Sequence, residues 1–251
     1  MISAHLPADR FFEYADLLKK HDIGIEYYPS ASFIDANLSY SYQREKKYDF
    51  LITSIHAPFY EFAPQSRDSK IREVANLRFN QTIEIAKKLN VKKIVFHTGY
   101  FYYTCRGEKW KQNLLNFWLE KVKTLKRENI EVYFENVFEF DYTPLKLLLD
   151  NLPSNFGWCL DTGHFNLFSK LPLEEWFENI GKYLMEIHIH NNFGFDDNHL
   201  PPSKGTFNFG SLIYLLKNLN KKVYFVIENR SFKEVLESKS YILNNLGEFV
   251  L

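Results

Sequence analysis

Eight short apolar segments recur along a chain of 251 residues, and a polar or amphipathic stretch follows each of them. Strands that alternate with helices form parallel sheets, because neighbouring parallel strands need a crossover connection. Eight such units in about 250 residues fit a closed barrel better than an open sheet. No linker, low-complexity tract or change of composition divides the chain. The sequence therefore predicts an α/β protein, a single (β/α)8 TIM barrel over residues 1–251.

The predicted strands end in polar residues or in breaks such as Ala57-Pro58, since proline disfavours continuation of a strand interior. The seventh strand shows a two-residue alternation of apolar and polar side chains, the pattern of a half-buried strand. In chain order the predicted strands are 2–5, 23–27, 51–56, 91–97, 130–135, 156–161, 184–188 and 223–228.

Amphipathic helices are predicted after the strands, although residues 30–47 are too polar to define the second one. Residues 68–89 show the helical period, because Ile71, Ala75, Phe79, Ile83 and Ala86 fall on one face. Thr143-Pro144 predicts another helix start, with threonine as N-cap and proline at the first helical position. Three further helices are expected at about 108–128, 172–182 and 232–246. Two more are expected around groups of apolar residues. The first group is Phe11, Phe12, Ala15, Leu17 and Leu18, and the second is Leu212, Leu215, Leu216 and Leu219.

The composition excludes several broad classes of protein. Hydrophobic residues make up 45% and aromatic residues 18%, which is enough for a sizeable core and inconsistent with disorder. Lys plus Arg equals Asp plus Glu at 31 each, so the overall charge gives no attraction to nucleic acid or anionic membranes. Cys105 and Cys159 do not make a disulfide framework and are expected to be free thiols. Without a signal peptide or an apolar run of about 18 residues, the expectation is a soluble cytoplasmic protein.

Carboxylates and imidazoles stand at the carboxyl ends of six successive predicted strands. In a barrel these ends meet at one mouth, the face where active sites are built. Four carboxylates there would repel one another by about 4 kcal/mol per pair, at about 4 Å and an effective dielectric of about 20. Divalent metals offset that repulsion, and histidine with aspartate and glutamate is the ligand set of zinc, manganese and iron. The predicted metal ligands are His56, His97, Glu135, Asp161, His164, His188, Asp197, His199 and Glu228.

Each of these residues, taken alone, also has an ordinary structural interpretation. His56 suits a hydrogen-bonded residue of the barrel rim, Glu135 suits a pair with a lysine, and Asp161 suits a cap on the following turn. Repetition of the pattern at six strand ends favours the metal centre. Four further polar residues fall outside the ligand set: His190, which supports a ligand or orients a substrate, the non-ligands His5 and His21, and Glu26, a rim residue without an assigned role.

Seven short motifs at these strand ends resemble those of the xylose isomerase-like TIM-barrel superfamily. That superfamily includes endonuclease IV, the second apurinic endonuclease family, and isomerases and epimerases of sugars and sugar phosphates. The resemblance spans nearly the whole chain, and the motifs together are specific for the superfamily rather than for one reaction within it. They are His-Ala-Pro at 56–58, Phe-His-Thr-Gly at 96–99, Phe-Glu-Asn at 134–136, Leu-Asp-Thr-Gly-His at 160–164, His-Ile-His-Asn at 188–191, Asp-x-His-Leu-Pro at 197–201 and Ile-Glu-Asn at 227–229.

The two branches of the superfamily imply different numbers of metal ions. Resemblance to the endonuclease implies three, and all nine ligand positions are filled. The implied sets are His56, His97 and Glu135 for the first ion, Glu135 as a bridge with Asp161, His188 and Glu228 for the second, and His164, Asp197 and His199 for the third. Resemblance to the isomerases implies one ion, held by Glu135, Asp161, His188 and Glu228, with the two glutamates as the acid–base pair.

Two departures from the endonuclease pattern bear on the choice of reaction. Ser203-Lys204-Gly205 stands where that family has Gly-Glu-Gly, and Phe59 stands where it has tyrosine. Neither position is a ligand, but both fall where that family handles DNA. The sequence therefore favours an isomerase or epimerase of a small sugar or sugar phosphate. The alternative is a three-zinc phosphodiesterase that cleaves at abasic sites in DNA, and the third hypothesis is a metal-dependent binding module without turnover.

The favoured reaction is proton transfer beside a carbonyl that a metal ion polarises. Glu135 or Glu228 would remove the proton, and the ion would stabilise the enediolate oxygen. The expected cofactor is zinc or manganese, with one to three ions per chain. The expected partner is a small sugar or sugar phosphate, or nucleic acid under the alternative, and the oligomeric state stays open. Expected substrate contacts are His190, Lys204, Arg230 and Arg106, with residues 100–103 as an aromatic wall.

Overall fold

Eight strands form the centre of the computed structural model, which describes residues 1–37, 39–60 and 62–251. They are β1 (Ile2–Pro7), β2 (Gly24–Tyr28), β3 (Ile52–His56), β4 (Lys93–His97), β5 (Glu131–Glu135), β6 (Phe156–Asp161), β7 (Leu184–Ile189) and β8 (Tyr224–Ile227). Each strand pairs in parallel with the next, and β1 pairs with β8 to close the barrel. The predicted single (β/α)8 TIM barrel is confirmed.

Nine α-helices in the described ranges connect the strands. They are α1 (Phe11–Lys20), α2 (Ala31–Ala36), α3 (Ser69–Leu89), α4 (Lys109–Glu128), α5 (Thr143–Leu149), α6 (Thr162–Phe168), α7 (Leu173–Ile180), α8 (Phe209–Leu219) and α9 (Phe232–Asn245). Short 3-10 turns supplement them at Ala8–Arg10, Glu45–Tyr48, Gly181–Tyr183 and Gly247–Phe249. In this part of the chain no helix is long and apolar enough to span a membrane.

Five of the described helices, α2, α3, α6, α8 and α9, begin at a side chain that accepts one of their first free N–H groups. Asp161 accepts a hydrogen bond from the N–H of His164 at 2.6 Å, so α6 begins directly after β6, where the sequence indicated only a break. The expectation that Thr143 is an N-cap is wrong. Thr143 is the first residue of α5, and Asp141 accepts its N–H at 2.8 Å. The undefined second helix is the short α2, capped by the Ser30 hydroxyl.

The main core lies between the strands and the helices. On α3, Ala75, Phe79, Ile83 and Ala86 are buried, as the 3.6-residue period predicts, whereas Ile71 in the first turn is 42% exposed. Fully burying a large apolar side chain of this kind contributes about 1.5–3 kcal/mol. The core therefore holds the helices against the barrel wall and fixes the strand ends that carry the site.

A second buried cluster supports the site from inside the barrel. It contains Val95, Tyr133 and Cys159 on β4, β5 and β6, apart from the main core. Both cysteines are free and buried, as expected. Side chains alternate along a strand, so the residues two positions later face the same side and reach the mouth. These are His97, Glu135 and Asp161.

Candidate metal centre

The carboxyl ends of β1, β3, β4 and β5, with the segments that follow β6, β7 and β8, surround one cavity of about 870 Å³. Strand pairing sets their register, with His97 opposite Glu135 and Asp161 opposite His188. Asp161 and His188 are fully buried beneath the cavity. The other seven predicted ligands line it: His56, His97, Glu135, His164, Asp197, His199 and Glu228. The nine predicted positions therefore meet at one end of the barrel.

The first compact group contains His56, His97 and Glu135, whose candidate ligand atoms lie within 4.8 Å of one another. The Nε2 atoms of His56 and His97 lie 2.9 and 3.2 Å from the same carboxylate oxygen, Oε2 of Glu135. Nδ1 of His56 lies 2.9 Å from the carbonyl oxygen of Ala57. Because a carbonyl only accepts, we assign the proton to Nδ1, which leaves the Nε2 lone pair for a cation.

The second compact group contains Glu135, Asp161 and His188, again with ligand atoms within 4.8 Å of one another. Nδ1 of His188 lies 3.0 Å from Oε1 of Glu228 and 3.5 Å from Oε2 of Glu135. Glu135 thus belongs to both groups. A carboxylate shared in this way is suited to bridge two ions.

The third group is more open, with Asp197 placed between His164 and His199. Oδ2 of Asp197 lies 2.8 Å from Nε2 of His199 and 3.6 Å from Nε2 of His164. Nδ1 of His199 faces the backbone carbonyl of Glu228 at 2.7 Å, so Nε2 is the nitrogen available to a metal. His164 also places Nδ1 2.9 Å from Oε1 of Glu135.

The loop over residues 190–208 holds Asp197 and His199 over the cavity. Asn191 and Leu200 exchange two backbone hydrogen bonds of 2.8 Å across its base. The side-chain oxygen of Asn191 also accepts the N–H of Phe207 at 3.0 Å. His199 has φ +53°, a left-handed conformation that few non-glycine residues adopt. A loop tied in this way presents its ligands without a regular element beneath them.

The predicted substrate-binding residues lie in three different environments. Arg230 lines the cavity and donates to a backbone carbonyl of the site loop at 2.7 Å. Lys204 lies away from the cavity lining, in an exposed pair with Glu237 at 2.8 Å. His190 is fully buried, with Nε2 3.0 Å from Oδ2 of Asp161. This position makes His190 a support for a predicted ligand.

The aromatic wall of the cavity differs from the expected one. Among the described residues, neither Arg106 nor any of 100–103 lines the cavity. Phe101 packs instead against Phe138, with ring centroids 5.7 Å apart. The aromatic residues that line the cavity beside the histidines are Phe59, Tyr60, Phe138 and Phe168. Phe59 and Tyr60 share the loop after β3, Phe138 lies in the loop after β5 and Phe168 ends α6, so no single motif in the sequence joins all four.

His5 and Glu26, which are not among the predicted ligands, belong to the network of charged side chains around the cavity. His5 lines the cavity, with Nδ1 3.3 Å from Oε1 of Glu26 and 3.5 Å from Oε1 of Glu228. Glu26 was expected on the rim, and that expectation is wrong, because the residue is fully buried. The two-residue alternation along β2 turns it to the inside of the barrel.

Carboxylates and imidazoles at the mouth stabilise one another's charged forms. Burial raises the pKa of Glu135, but the nearby His97 and His164 outweigh it and hold that pKa well below its ordinary value. Burial lowers the pKa of His199, but Asp197 outweighs it and raises the pKa to about 9. Buried carboxylates that stay ionised require positive charge nearby, and a divalent cation supplies it. The nitrogen and oxygen donors present fit zinc or manganese.

The model of the xylose isomerase-like TIM barrel family matches residues 13–243. The chain belongs to this family. The uncharacterized protein MJ1311 of Methanocaldococcus jannaschii is 28% identical over 222 residues, which cover 82% of this chain and 73% of that protein.

Two solved structures resemble this member of the family over nearly their whole length. The TTHB071 protein of Thermus thermophilus, soaked with zinc chloride, has a TM-score of 0.82 at 20% identity over 98% of both chains. A D-tagatose 3-epimerase-like protein has a TM-score of 0.78 at 22% identity, over 98% of this chain and 97% of its own. At these identities the likeness concerns the fold.

Proposed function

We propose that this protein is a divalent-metal-dependent isomerase or epimerase of a small sugar or sugar phosphate. The observation that carries the proposal is the position of Glu135 and Glu228. Both carboxylates line the cavity, and they lie 3.5 and 3.0 Å from the same nitrogen of His188. With Asp161, these residues supply the donors for one ion and leave both glutamates beside the space for a substrate. The shared fold of the D-tagatose 3-epimerase-like protein supports this class of reaction.

The two glutamates supply the acid–base chemistry of the proposal. Burial raises the pKa of each, but neighbouring histidines outweigh it and hold both pKa values well below the ordinary range. Each carboxylate is therefore ionised near neutral pH and accepts the proton from the carbon beside the substrate carbonyl. The electron pair of that C–H bond enters the enediolate. Return of the proton to the adjacent carbon, with transfer of the hydroxyl proton from one enediolate oxygen to the other, isomerises the sugar. Epimerisation needs a proton on the opposite face, so the second glutamate would have to take up a proton when the substrate binds and donate it there, while the first keeps the proton that it removed.

The bound ion would polarise the substrate carbonyl and balance the negative charge that develops on its oxygen. Phe59, Tyr60, Phe138 and Phe168 give the cavity an apolar side that suits the C–H face of a sugar and keeps water away. Arg230, on the same lining, is placed to meet a phosphate group.

A specific observation favours a second candidate, a three-metal phosphodiesterase. Asp197 contacts both His164 and His199, a group that the one-ion isomerase does not need. Three dications against four carboxylates would leave about two positive charges facing a phosphodiester. The neutral composition and the changed Ser203-Lys204-Gly205 segment weigh against DNA as the substrate.

Metal content per chain, measured by mass spectrometry on the purified protein, is the first test. One manganese, magnesium, cobalt or zinc ion per chain, together with turnover on a panel of ketoses, aldoses and their phosphates, is the expected result. Three zinc ions per chain with cleavage of abasic-site DNA and no sugar turnover would establish the second candidate instead. A loaded protein without turnover on either panel would be a binding module.

Glu228→Gln tests the proposed acid–base role. We expect sugar turnover to fall by about 10²–10⁴-fold, the usual contribution of a general acid or base. Glu237→Gln is the matched control, because that partly exposed carboxylate pairs with Lys204 away from the cavity. Wild-type turnover in Glu228→Gln, with unchanged Glu237→Gln, would contradict the proposal.

A further inference from the structure

Two buried carboxyl groups lie beneath the metal centre and take no part in the proposed chemistry. Glu26 on β2 and Glu186 on β7 are fully buried. In TIM barrels bulky branched apolar residues ordinarily fill the inside of the barrel, as Val95 and Val226 do here. A carboxyl group is costly in such a place unless it has a partner. Their retention therefore requires a reason within the barrel.

Both carboxyl groups face the same edge of the His188 ring. Nε2 of His188 lies 3.3 Å from Oε1 of Glu26 and 3.3 Å from Oε1 of Glu186, and neither contact has the geometry of a full hydrogen bond. Nδ1, on the other side of the ring, faces Glu135 and Glu228 in the metal centre. The imidazole thus separates the metal centre from the carboxyl pair.

The two carboxyl groups differ in their other contacts. Glu26 accepts the hydroxyl of Ser54 at 3.0 Å and lies 3.3 Å from Nδ1 of His5. Among the residues that the structure describes, neither oxygen of Glu186 has a hydrogen-bond partner. Glu26 is anchored independently, whereas the closest polar neighbour of Glu186 in the described ion pairs is His188.

We propose that Glu186, together with Glu26, is a positioning residue that holds His188 for metal binding. If Nδ1 binds the ion, the ring proton stays on Nε2, the nitrogen that faces the two carboxyl groups at 3.3 Å. A carboxylate behind a metal-bound histidine fixes the tautomer and orientation of the ring and raises its basicity as a ligand. The inference rests on the metal centre of the proposed function, but it concerns metal affinity rather than the reaction.

Zinc affinity of the full-length chain, measured by competition with a chelator of known affinity, tests the inference. Glu186→Leu removes the acceptor, and we expect its zinc affinity to fall by about 10- to 100-fold. Glu186→Gln keeps a carbonyl oxygen and should lose less. Glu45→Gln is the control, because Glu45 is also buried and has an unpartnered oxygen but lies outside the metal centre. Its zinc affinity should equal that of the wild type.

The cobalt(II) absorption spectrum gives a second readout that a merely structural role would not move. We expect a changed spectrum in Glu186→Leu, a smaller change in Glu186→Gln and an unchanged spectrum in Glu45→Gln, with the same circular dichroism in all three. Wild-type affinity and spectrum in a folded Glu186→Leu would overturn the inference while the metal centre stands. A wild-type chain that binds no metal would overturn the proposed function as well.

Discussion

Asp197 contacts two histidines through one carboxylate oxygen and separates the two candidate reactions. Asp197→Ala removes a ligand that the three-metal centre requires and the single-ion centre does not. Because the backbone carbonyl that binds Arg230 is retained, we expect the loop to keep its place. Sugar turnover in Asp197→Ala should therefore stay within about tenfold of the wild type, the lower range for a residue outside the ligand set. Near-total loss of abasic-site DNA cleavage in Asp197→Ala, with metal content reduced, would indicate the phosphodiesterase.

Glu139 shows how a buried carboxyl group next to the site affects stability. Burial raises its pKa to about 7 from the ordinary 4.5, even though the Thr98 hydroxyl and the N–H of Val137 donate to it. The folded state therefore binds this proton more tightly than the unfolded state. The resulting stability is complete below pH 4.5 and is lost as the pH rises through about 7.

Glu139→Gln should remove that pH dependence, because the amide has no proton to lose. Relative to the wild type, the variant should gain about 3 kcal/mol in the free energy of unfolding between pH 5 and pH 8. Urea unfolding of both proteins at several pH values measures the difference. Parallel curves for the two proteins would contradict the assigned cause.

Several features could be predicted from the sequence, because the residue patterns of strands and helices and the topology of a parallel barrel determine them. An apolar run that ends at a break locates β6 at its observed bounds, and the helical period locates α3 within one residue. The convergence of strand ends in a barrel then predicts that His97, Glu135 and Asp161 meet. None of these inferences required a measured distance between residues.

Other features depend on contacts that no local pattern contains. Lys204 looked available in its loop, but its partner Glu237 lies 33 residues away on α9. Glu26 follows the strand period, yet its burial inside the barrel opposes the rule that this interior is apolar. The aromatic lining of the cavity comes from loops and helices that are far apart in the sequence, and only the folded chain determines how they pack.

The start of α6 illustrates an element shaped by its neighbour. A β-carbon on Gly163 would overlap the ring of His190, which lies behind Asp161. Alanine ordinarily favours a helix over glycine by about 1 kcal/mol. Here we expect Gly163→Ala to destabilise the fold by about 1–3 kcal/mol through overpacking, and to weaken metal binding by moving His190.

Urea unfolding and chelator competition measure the two effects of Gly163→Ala. Gly247→Ala is the matched control, since its β-carbon would meet nothing closer than the carbonyl of Ile242 at 3.9 Å. That variant should stay within about 1 kcal/mol of the wild type. Equal stability of both variants would show that the ring of His190 moves aside freely.

At the scale of the whole molecule, the predicted ligands join six of the eight strands. His56 and Glu228 are far apart in the sequence, and a series of side-chain contacts through Glu135 and His188 links them in space. Breaking a buried ionic network on one side leaves charge uncompensated on the other. Loss of the metal is therefore expected to weaken the barrel as a unit and not one loop alone.

Metal removal should lower the melting temperature of the whole protein. With free metal at about 100 times the dissociation constant, binding contributes about 2.7 kcal/mol, and a chain of this size shifts by about 2–4 °C per kcal/mol. We therefore expect a fall of about 5–10 °C on chelation and full recovery when zinc or manganese is returned. Glu135→Gln, which removes the carboxylate shared by two groups, should show a much smaller shift in melting temperature, whereas Glu139→Gln should show the same shift as the wild type.

A melting temperature that stays constant after complete metal removal, verified by mass spectrometry, would mean that the barrel mouth is stable without a cation. In that case the carboxylates would be balanced by imidazolium charge from His164 and His188. Both pKa values are held well above the ordinary range against the effect of burial, by Asp161 and other carboxylates for His164 and by Cys159 with Glu26 and Glu228 for His188.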